Sequence, residues 1–446
     1  MKTDAAAIPV VSQIYFYRNA LNILKNPLPF HHKNFEKLGD TFQLETGFTS
    51  HVVFSRDTEL LKLALQKKQK NFKKSAIQTE DLVKYVGKGL LTAEGEDWKQ
   101  QRKLLQPTFY KKNIAKLTER MHDSICELLD RIEPDKNIDS FPIFNDLAFK
   151  VVARSLFSDA INDRQIDRLQ FITEDMQMML VKELRQPYKK WWFTLSGELR
   201  KKLMLSEEAR DIITSIIDER RQASETPDDL LDMLMSLTYE DGSVMSQEDL
   251  LDEILILFIA GHETTSNALT FTAQLLAHHP AYQQGIKEEA LAVPSDNLSD
   301  ILQHTAQAEL AINESMRLYP PVYFIDRVSK EAFEHNGLHF PRDTTLLFSL
   351  YEMHRLENKW PDAEKFKPER FDTDDNFSDQ FFPFGAGPRK CIGNNFAMVE
   401  MKLVVYELMK RFDIQPVQES IDILPLISLK PKNAYLKFKT ADQWTL

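Results

Sequence analysis

FFPFGAGPRKCIG, residues 381–393, concentrates glycine in a chain that otherwise uses little of it. The chain has 13 glycines among 446 residues, less than half of the usual ~7%. Three of them lie within nine positions in this segment: Gly385, Gly387 and Gly393. Glycine allows backbone conformations and close approaches that other residues do not. The segment therefore predicts an unusual backbone loop around Cys391.

Cys391 has the surroundings that a thiolate metal ligand needs. A thiolate near neutral pH requires backbone N–H groups directed at the sulfur and a site without water. The glycines could provide such a backbone, and the ring of Phe384 could shield one side. A buried structural cysteine is the usual alternative for an isolated Cys. Here the sequence from Phe384 to Gly393 completes the pattern F-x-x-G-x-R-x-C-x-G, which favours the metal ligand.

With this pattern the chain closely resembles the cytochrome P-450 family of haem-thiolate monooxygenases, in which the cysteine is the proximal iron ligand. The resemblance covers essentially the whole chain and implies a mainly α fold with small β-sheets, the cytochrome P-450 fold. It implies haem b (heme b, iron protoporphyrin IX) as the cofactor, Cys391 as the metal ligand, and Phe384 and Gly393 in cofactor binding. Residues 1–30 contain no signal peptide and no apolar run of ~20 residues, so a soluble bacterial-type member is expected.

A long central helix is predicted from about Ser246 to His279 by its helical periodicity and its capping signature. The helix is apolar on nearly all sides in its first half, which indicates burial. Its middle nevertheless contains Gly261, Glu263 and Thr264. A buried carboxylate and a buried hydroxyl need partners, and such breaks of local rules are typical of functional sites.

Residues 260–265, AGHETT, match the oxygen-activation segment of the family. The resemblance implies that Glu263 and Thr264 are catalytic and manage the protons that oxygen cleavage requires in a pocket with little water. Without the family context, a threonine that bonds back to the preceding turn is the ordinary interpretation. A zinc-protease pattern, H-E-x-x-H, is excluded because Ser266 stands where the second histidine is required.

A buried ion-pair network is predicted from the E-x-x-R pattern at Glu314 and Arg317. Side chains three residues apart share a helix face, and an exposed pair of this kind contributes only about 0.2–0.5 kcal/mol. Residues 366–371, FKPERF, match the family segment whose arginine, here Arg370, completes a Glu-Arg-Arg network behind the cysteine loop. The implied role is structural.

Four N–H donors match family positions that bind the haem propionates. Trp98 and Arg102, four residues apart in W-x-x-x-R, lie on one helix face; a surface Trp–Arg stack is the alternative. Arg327 and Arg389 occupy positions that also pair with propionates in related proteins. The resemblance therefore implies that all four residues bind the cofactor.

The substrate pocket is predicted by family analogy alone. Eight side chains are expected to line it: Leu82, Tyr85, Val86, Phe258, Ile259, Val322, Tyr323 and Phe324. Mostly apolar walls fit a fatty acid or a hydrocarbon. The two tyrosines keep open a methyl ether such as an O-methylated sugar, whose demethylation would release formaldehyde.

The implied reaction inserts one oxygen atom of O2 into a C–H bond of a small organic substrate, by hydroxylation or oxidative O-demethylation. Electrons are expected from a separate ferredoxin and ferredoxin reductase, because the chain has neither G-x-G-x-x-G nor G-x-x-x-x-G-K and encodes no nucleotide site. A peroxide-driven peroxygenase and a non-catalytic haem sensor are the alternatives. The intact Glu263–Thr264 pair argues against both.

The charge balance excludes further classes of function. Lys and Arg number 56 and Asp and Glu number 67, which gives a net charge of −11. This charge opposes binding to nucleic acids and disfavours anionic membrane surfaces. Four basic residues are nevertheless expected to steer an acidic electron carrier toward the protein: Lys99, Lys103, Arg389 and Lys390.

The chain shows no repeat, linker or low-complexity tract that would divide it. A single domain is therefore expected over residues 1–446, with about residues 1–30 as an N-terminal lead-in. TFQLE at 41–45 and HVVFS at 51–55 alternate around a glycine-containing turn and predict a small hairpin. A cytoplasmic monomer is expected.

Overall fold

The computed structural model describes residues 6–45, 52–224, 226–293, 297–373 and 377–441. Most of these residues are helical, and short strands form small sheets, which confirms the predicted fold class. The backbone divides into two compact units. The first, the sheet unit, comprises residues 1–76, 314–391 and 423–430; the second, the helical unit, comprises residues 77–313, 392–422 and 431–446. The single domain expected over residues 1–446 stays a prediction.

Eighteen α-helices occur in the described ranges. They are α1 Gln13–Lys25, α2 Leu28–Leu38, α3 Thr58–Lys62, α4 Val83–Val86, α5 Gly95–Leu105, α6 Lys111–Ile114, α7 Thr118–Leu129, α8 Ser140–Phe157, α9 Asp163–Arg185, α10 Lys190–Leu195, α11 Glu198–Gln222, α12 Leu230–Met235, α13 Gln247–His278, α14 Pro280–Leu291, α15 Leu298–Gln303, α16 Ala306–Leu318, α17 Leu350–Met353 and α18 Asn394–Arg411.

The strands are short. They are β1 Val10–Val11, β2 Thr41–Leu44, β3 Val52–Ser55, β4 Phe72–Lys73, β5 Asn137–Asp139, β6 Phe324–Ser329, β7 Phe333–His335, β8 Leu338–Phe340, β9 Thr345–Ser349, β10 Phe412–Pro416, β11 Asp422–Pro425, β12 Leu429–Lys432 and β13 Tyr435–Thr440. Short 3-10 or π-helical segments also occur between these elements, at Leu63–Lys67, Gln69–Asn71, Ile77–Asp81, Gln106–Phe109, Ala115–Leu117, Ser158–Ala160, Pro187–Lys189, Pro368–Phe371, Phe377–Asp379 and Gly387–Arg389.

The sheet unit is built on a mixed six-stranded sheet in the order β1-β2-β3-β9-β6-β4. Strands β2 and β3 are antiparallel, with Phe42 opposite Phe54, which confirms the predicted hairpin; its turn and His51 lie outside the described residues. Strand β9 joins β3 in parallel and β6 antiparallel, which sets Arg327 opposite Leu346. The sheet therefore fixes the position of Arg327.

Part of the expected N-terminal lead-in belongs to this sheet. Strand β1 pairs in parallel with β2, with Val10 opposite Gln43. Helix α1 follows at once, because the Ser12 side chain accepts a hydrogen bond from its first turn. Helix α2 then packs Phe35 edge-on against Phe42, with 4.9 Å between the ring centroids. The chain between β1 and α2 thus contributes to the core of the sheet unit.

The helical unit is organised around α13 and its neighbour α8. Helix α13 confirms the long helix predicted from the sequence, and Ser246 caps it by accepting the Asp249 N–H at 3.1 Å. Phe258 on α13 stacks on Phe149 of α8 at 5.0 Å between centroids. A three-stranded sheet, β10-β13-β5, completes this unit. No helix in the described part of the chain is both long enough and apolar enough to cross a membrane.

Candidate active site

The cysteine loop, residues 381–391, presents Cys391 at its end with the side chain exposed. The Cys391 N–H donates to the Phe384 carbonyl at 2.9 Å and so closes the loop on itself. Phe382 and Ala386 are buried in the core of the sheet unit. Backbone closure and two apolar anchors therefore hold the loop in place while the thiol stays accessible to a ligand.

Two glycines of this loop are required by its backbone. Gly387 has a φ of +70°, and a Cβ there would lie 1.9 Å from the Leu65 carbonyl oxygen. Gly385 has a φ of +73° and more space, with Ile325 Cδ1 3.7 Å from a Cβ position. Both values lie in the left-handed region that favours glycine. Gly393 has a φ of −84° and stands at the N-cap of α18, so its predicted role in cofactor binding has no such backbone reason behind it.

The predicted Glu-Arg-Arg network is confirmed inside the sheet unit. Glu314 and Arg317 are fully buried and share two hydrogen bonds, of 2.7 and 2.8 Å. Arg370 Nε approaches Glu314 Oε1 at 3.2 Å, and the backbone N–H of Lys367 donates to the same oxygen at 2.9 Å. The Arg317 guanidinium also lies over the Trp360 ring, 5.3 Å from its centroid. A fully satisfied network of this kind is rigid, because each lost partner would leave a buried charge.

His354 connects this network to the cysteine loop. Its carbonyl accepts from Arg317 Nη1 at 2.7 Å, and its Nε2 accepts from the Phe382 N–H at 3.1 Å. Complete burial, together with the charges of Arg317 and Arg355, lowers the pKa of His354 to about 3. The imidazole is therefore neutral, which leaves Nε2 able to accept the bond from the loop.

The two arginines predicted for the propionates both lie in the sheet unit. Arg327 on β6 is buried, and its Nη1 donates to the Asp326 carbonyl at 2.7 Å. Because alternate residues of a strand share a face, Arg327 is on the same side of β6 as Ile325, which approaches the loop at Gly385. Arg389 is half-buried within the turn Gly387–Arg389. Propionate binding by both stays a prediction.

Helix α13 carries an accessible stripe in a mostly buried middle. Ala260 is exposed, and Leu257, Gly261 and Thr264 are half-buried. These positions are spaced i, i+3, i+4 and i+7, so they share one face of the helix. Gly261 also serves packing, since a Cβ there would lie 3.1 Å from Val152 Cγ2 of α8. The stripe gives the helical unit a place where a small ligand can contact the backbone closely.

Thr264 is the polar group of this stripe. Its hydroxyl donates to the Ala260 carbonyl at 2.8 Å, which is the back-bonding expected for a threonine within a helix. The oxygen keeps its lone pairs for accepting a further hydrogen bond. Glu263, the neighbouring residue, is buried. The structure thus places a half-buried hydroxyl and a buried carboxyl side by side in the chain, and their catalytic roles stay predictions.

Trp98 and Arg102 lie four residues apart on α5, as the sequence predicts. The indole of Trp98 is buried and Arg102 is half-buried. Arg102 Nε donates to Gln106 Oε1 at 2.7 Å, so the guanidinium is oriented by a residue one turn further along. Burial of the indole rules out a surface Trp–Arg stack, while propionate binding stays a prediction.

The predicted substrate residues of the helical unit lie in two settings. Leu82 and Ile259 are half-buried, whereas Val86 and Phe258 are buried. Phe258 is directed to α8, where it stacks on an aromatic ring, and it lies outside the accessible stripe. Its packing accounts for its apolar character, and its predicted contact with a substrate stays a prediction.

Tyr85 is buried and its hydroxyl is engaged. It donates to Glu183 Oε2 at 2.6 Å, and the Lys84 ammonium lies 3.5 Å from the other oxygen of that carboxylate. Burial and the bond to Glu183 raise the pKa of Tyr85. The hydroxyl is therefore a protonated donor whose hydrogen bond is used within the protein.

The loop after α4 is fastened to α13 by two buried acids. Asp252 Oδ2 accepts the Lys88 N–H at 2.6 Å, and Glu253 Oε1 accepts the Leu90 N–H at 2.8 Å. Between them, a Cβ at Gly89 would lie 2.5 Å from Ile256 Cδ1. These contacts set the position of the predicted substrate segment 82–86 relative to the accessible stripe of α13.

The predicted substrate residues of the sheet unit follow α16. Val322 is exposed, and Tyr323 is buried with its hydroxyl donating to the Leu426 carbonyl at 2.6 Å. Phe324 packs edge-on against Phe54, 5.8 Å between centroids, at the start of β6. Like Tyr85, Tyr323 uses its hydroxyl within the protein. Contact with a substrate stays a prediction for all three.

Five positions with a structural part in the site were not among the predicted residues: Asp252, Glu253, Leu257, Ala260 and His354. The two acids had a visible signal, because they interrupt the apolar run LLDEILIL. The stripe residues could have been found from their helical spacing to Thr264. No sequence pattern marks His354, because its partners, Arg317 and the backbone N–H of Phe382, are distant in the sequence.

Comparison with known proteins agrees with this geometry. The family model described as Cytochrome P450 matches residues 8–438. Cytokinin hydroxylase of Arabidopsis thaliana is 28% identical over 92% of this chain and 83% of its own length. Cyclooctat-9-en-7-ol 5-monooxygenase of Streptomyces melanosporofaciens is 30% identical over 74% of each chain. Cytochrome P450 4A12 of Rattus norvegicus is 29% identical over 80% of this chain and 76% of its own length.

These relatives come from a plant, a bacterium and an animal. They do not support the expected assignment to a soluble bacterial type. Two of the three are named as a hydroxylase or a monooxygenase, and members of the family need O2, a redox partner and a small substrate.

The residues present fit haem, the cofactor of this family. Cys391 offers an exposed thiol at the end of a backbone-closed loop, and a cysteine thiolate is one of the protein groups that would hold haem iron. The buried guanidinium of Arg327 in the same unit is a suitable partner for a carboxylate. Three observations support the same assignment: the matched family model, the cysteine loop and the Glu-Arg-Arg network. The chain therefore belongs to the cytochrome P450 family and is a haem-thiolate monooxygenase.

Proposed function

We propose that this enzyme inserts one oxygen atom of O2 into a C–H bond of an apolar small molecule, with electrons from a separate ferredoxin and its reductase. The observation that carries the proposal is the accessible stripe of α13, where Thr264 is the polar group in an otherwise apolar row. A sensor or carrier of haem has no use for a hydroxyl at this place. A cytoplasmic monomer is part of the same proposal and is tested by cell fractionation and analytical ultracentrifugation.

Three residues of the chain would carry the chemistry: Cys391, Thr264 and Glu263. When bound through Cys391, haem supplies the oxygen chemistry, and thiolate ligation favours cleavage of the O–O bond. Thr264 Oγ1 accepts a hydrogen bond with its lone pairs or donates one by turning away from Ala260. Glu263, a buried acid next to it, is the proposed source of protons.

The engaged tyrosine hydroxyls favour an apolar substrate. Tyr85 donates to Glu183 and Tyr323 donates to the Leu426 carbonyl. A sugar or another polar methyl ether would need donors that these two residues already use. We therefore favour a fatty acid or hydrocarbon over an O-methylated sugar, and a screen for haem spectral shifts with both classes of compound tests this choice.

The ferredoxin surface is proposed at the exposed lysines of α5. Lys99 and Lys103 are four residues apart on one helix face, and their ammonium groups pair with Glu96 and Glu240. Exposed pairs of this kind exchange readily with water and partners, so an acidic carrier can replace the two glutamates. Arg389 and Lys390 are basic residues of the sheet unit that belong to the same proposal.

Replacing Thr264 with alanine tests the proposed oxidation. We expect Thr264→Ala to consume several times more reductant per product, because the hydroxyl that guides protons is lost. Thr272→Ala is the matched control: Thr272 makes the same bond to the carbonyl four residues earlier, at 2.7 Å, but is buried. Unchanged coupling in Thr264→Ala would contradict the proposal. Product formed with peroxide but not with ferredoxin and reductase would favour a peroxygenase instead.

A further inference from the structure

Helices α7 and α18 of the helical unit bring together a cysteine, a histidine and a glutamate that the proposed function does not use. His122 and Cys126 are four residues apart on α7 and so share a face. Glu407 reaches them from α18. Cys126 Sγ lies 3.5 Å from His122 Nε2, and that nitrogen lies 2.8 Å from Glu407 Oε1. One atom from each residue lies within 4.8 Å of the other two.

Two of these separations, sulfur to nitrogen and nitrogen to oxygen, are close to the edges of a tetrahedral metal site. With Zn–S near 2.3 Å and Zn–N or Zn–O near 2.0–2.1 Å, tetrahedral angles put sulfur and nitrogen about 3.5 Å apart and nitrogen and oxygen about 3.3 Å apart. The observed sulfur–nitrogen separation of 3.5 Å matches. The nitrogen–oxygen separation of 2.8 Å would open by about half an ångström as the metal replaces the hydrogen bond between His122 and Glu407.

The surrounding charges suit a divalent cation. Arg411 pairs with the second oxygen of Glu407, Oε2, and with Asp130 at 3.2 Å. This leaves Oε1 directed at His122 and resembles the outer hydrogen bonds that orient metal-binding carboxylates. With Cys126 as a thiolate, the negative charges of Cys126, Glu407 and Asp130 exceed the positive charge of Arg411. The net charge of about −2 is one that a divalent cation neutralises.

The thiol and the histidine are accessible and suited to metal binding. Cys126 is half-buried, and the His122 side chain is 24% exposed. An ion can therefore reach Cys126 and His122 from solvent, with Glu407 as the buried third ligand.

We propose that His122, Cys126 and Glu407 bind a divalent transition metal, with zinc as the best match, and leave the fourth position to water. Sulfur, imidazole and carboxylate are the ligands that zinc prefers. The ion would connect α7 to α18 and stabilise the helical unit. This site shares no residue with the cysteine loop, so the proposal is independent of the proposed oxidation.

Zinc binding to the holoenzyme tests the proposal. The protein is stripped with a chelator, dialysed against Zn²⁺ and assayed for bound metal, with affinity measured by competition with a chromogenic chelator. We expect one zinc per chain, a raised unfolding temperature, and affinity at least ~10-fold weaker in Cys126→Ser and Glu407→Gln. His304→Gln removes an exposed histidine elsewhere and should bind as the unchanged chain does.

A second measurement covers variants that fail to fold. In the unchanged holoenzyme, Cd²⁺ at one equivalent should produce the ultraviolet charge-transfer absorption of a cadmium thiolate, and excess Zn²⁺ should remove it. Folding of each variant is checked by its haem spectrum. Absence of the cadmium thiolate absorption, or zinc affinity that is the same in Cys126→Ser as in the unchanged chain, would overturn the proposal.

Discussion

Replacing Gly387 with alanine tests whether the cysteine loop depends on one close backbone contact. The added Cβ would stand 1.9 Å from the Leu65 carbonyl oxygen, whereas carbon and oxygen in contact lie about 3.3 Å apart. The loop or the turn at Leu65 must therefore move by about 1.4 Å. Strain from the positive φ adds about 1–2 kcal/mol, and overpacking adds about 1–3 kcal/mol. We expect Gly387→Ala to lower the free energy of unfolding by about 2–5 kcal/mol.

Gly39→Ala is the matched control for this experiment. Gly39 also has a positive φ, +93°, but no atom lies within 4 Å of a Cβ there. With a ψ of −172°, Gly39 lies in a region that is almost exclusive to glycine, so the control carries at least a comparable conformational strain without the clash. Both variants are unfolded in urea, and both are reconstituted with haemin, reduced and exposed to carbon monoxide. The resulting absorption distinguishes thiolate from other ligation of the iron.

The two variants should differ in both measurements. Gly39→Ala should keep the thiolate spectrum and lose only about 1–3 kcal/mol of stability. Gly387→Ala should lose more stability and much of its thiolate-ligated fraction, because only Lys390 separates Cys391 from the displaced turn. Equal stability and equal spectra in the two variants would refute the reasoning, since the contact with Leu65 would then have no consequence.

Three further changes test other contacts. Glu314→Gln leaves the buried Arg317 without its anionic partner and should lower the free energy of unfolding in urea by about 3–5 kcal/mol. Because the pKa of His354 is lowered to about 3, the unfolded chain takes up a proton below about pH 6.5 that the folded chain refuses. Stability measured in urea should thus fall by about 2 kcal/mol from this residue between about pH 7.5 and pH 5, and less in His354→Gln. Tyr85→Phe removes the donor to Glu183 Oε2, with only Lys84 left near the other oxygen, and should lower thermal stability by about 1–3 kcal/mol.

Each of these changes has an exposed counterpart that should be nearly neutral: Glu364→Gln, His304→Gln and Tyr188→Phe. A buried position that behaves like its counterpart would contradict the role given to it. For the histidine, the decisive result is the slope of stability against pH. The same slope in His354→Gln as in the unchanged chain would show that this imidazole is not the group that titrates.

The sequence could predict the parts of the site that depend on local spacing. The cap at Ser246 and the helical periodicity give α13, and the spacing of the glycines gives the loop around Cys391. The pair Glu314–Arg317 follows from helix geometry once the matching segment around Arg370 is seen. In each case the residues that form the feature are close together in the chain, or each lies within a short motif that can be identified by itself.

The remaining contacts depend on which segments meet in space. Phe258 and Thr264 lie on the same helix, but only the position of α8 decides that Phe258 is covered and Thr264 is accessible. Asp252 and His354 act by accepting backbone N–H groups from distant segments. A backbone donor leaves no mark on the sequence, because nearly every residue type provides one.

The bond from the Phe382 N–H to His354 restricts how the cysteine loop can change in length. Residue 382 must supply an amide hydrogen, and the next residue is Pro383, which has none. A one-residue deletion just before the loop would bring the proline ring against the imidazole nitrogen. Exchanging Phe382 for another apolar residue leaves the amide in place. Position 382 should therefore tolerate such a substitution far better than a deletion that moves Pro383 into its place.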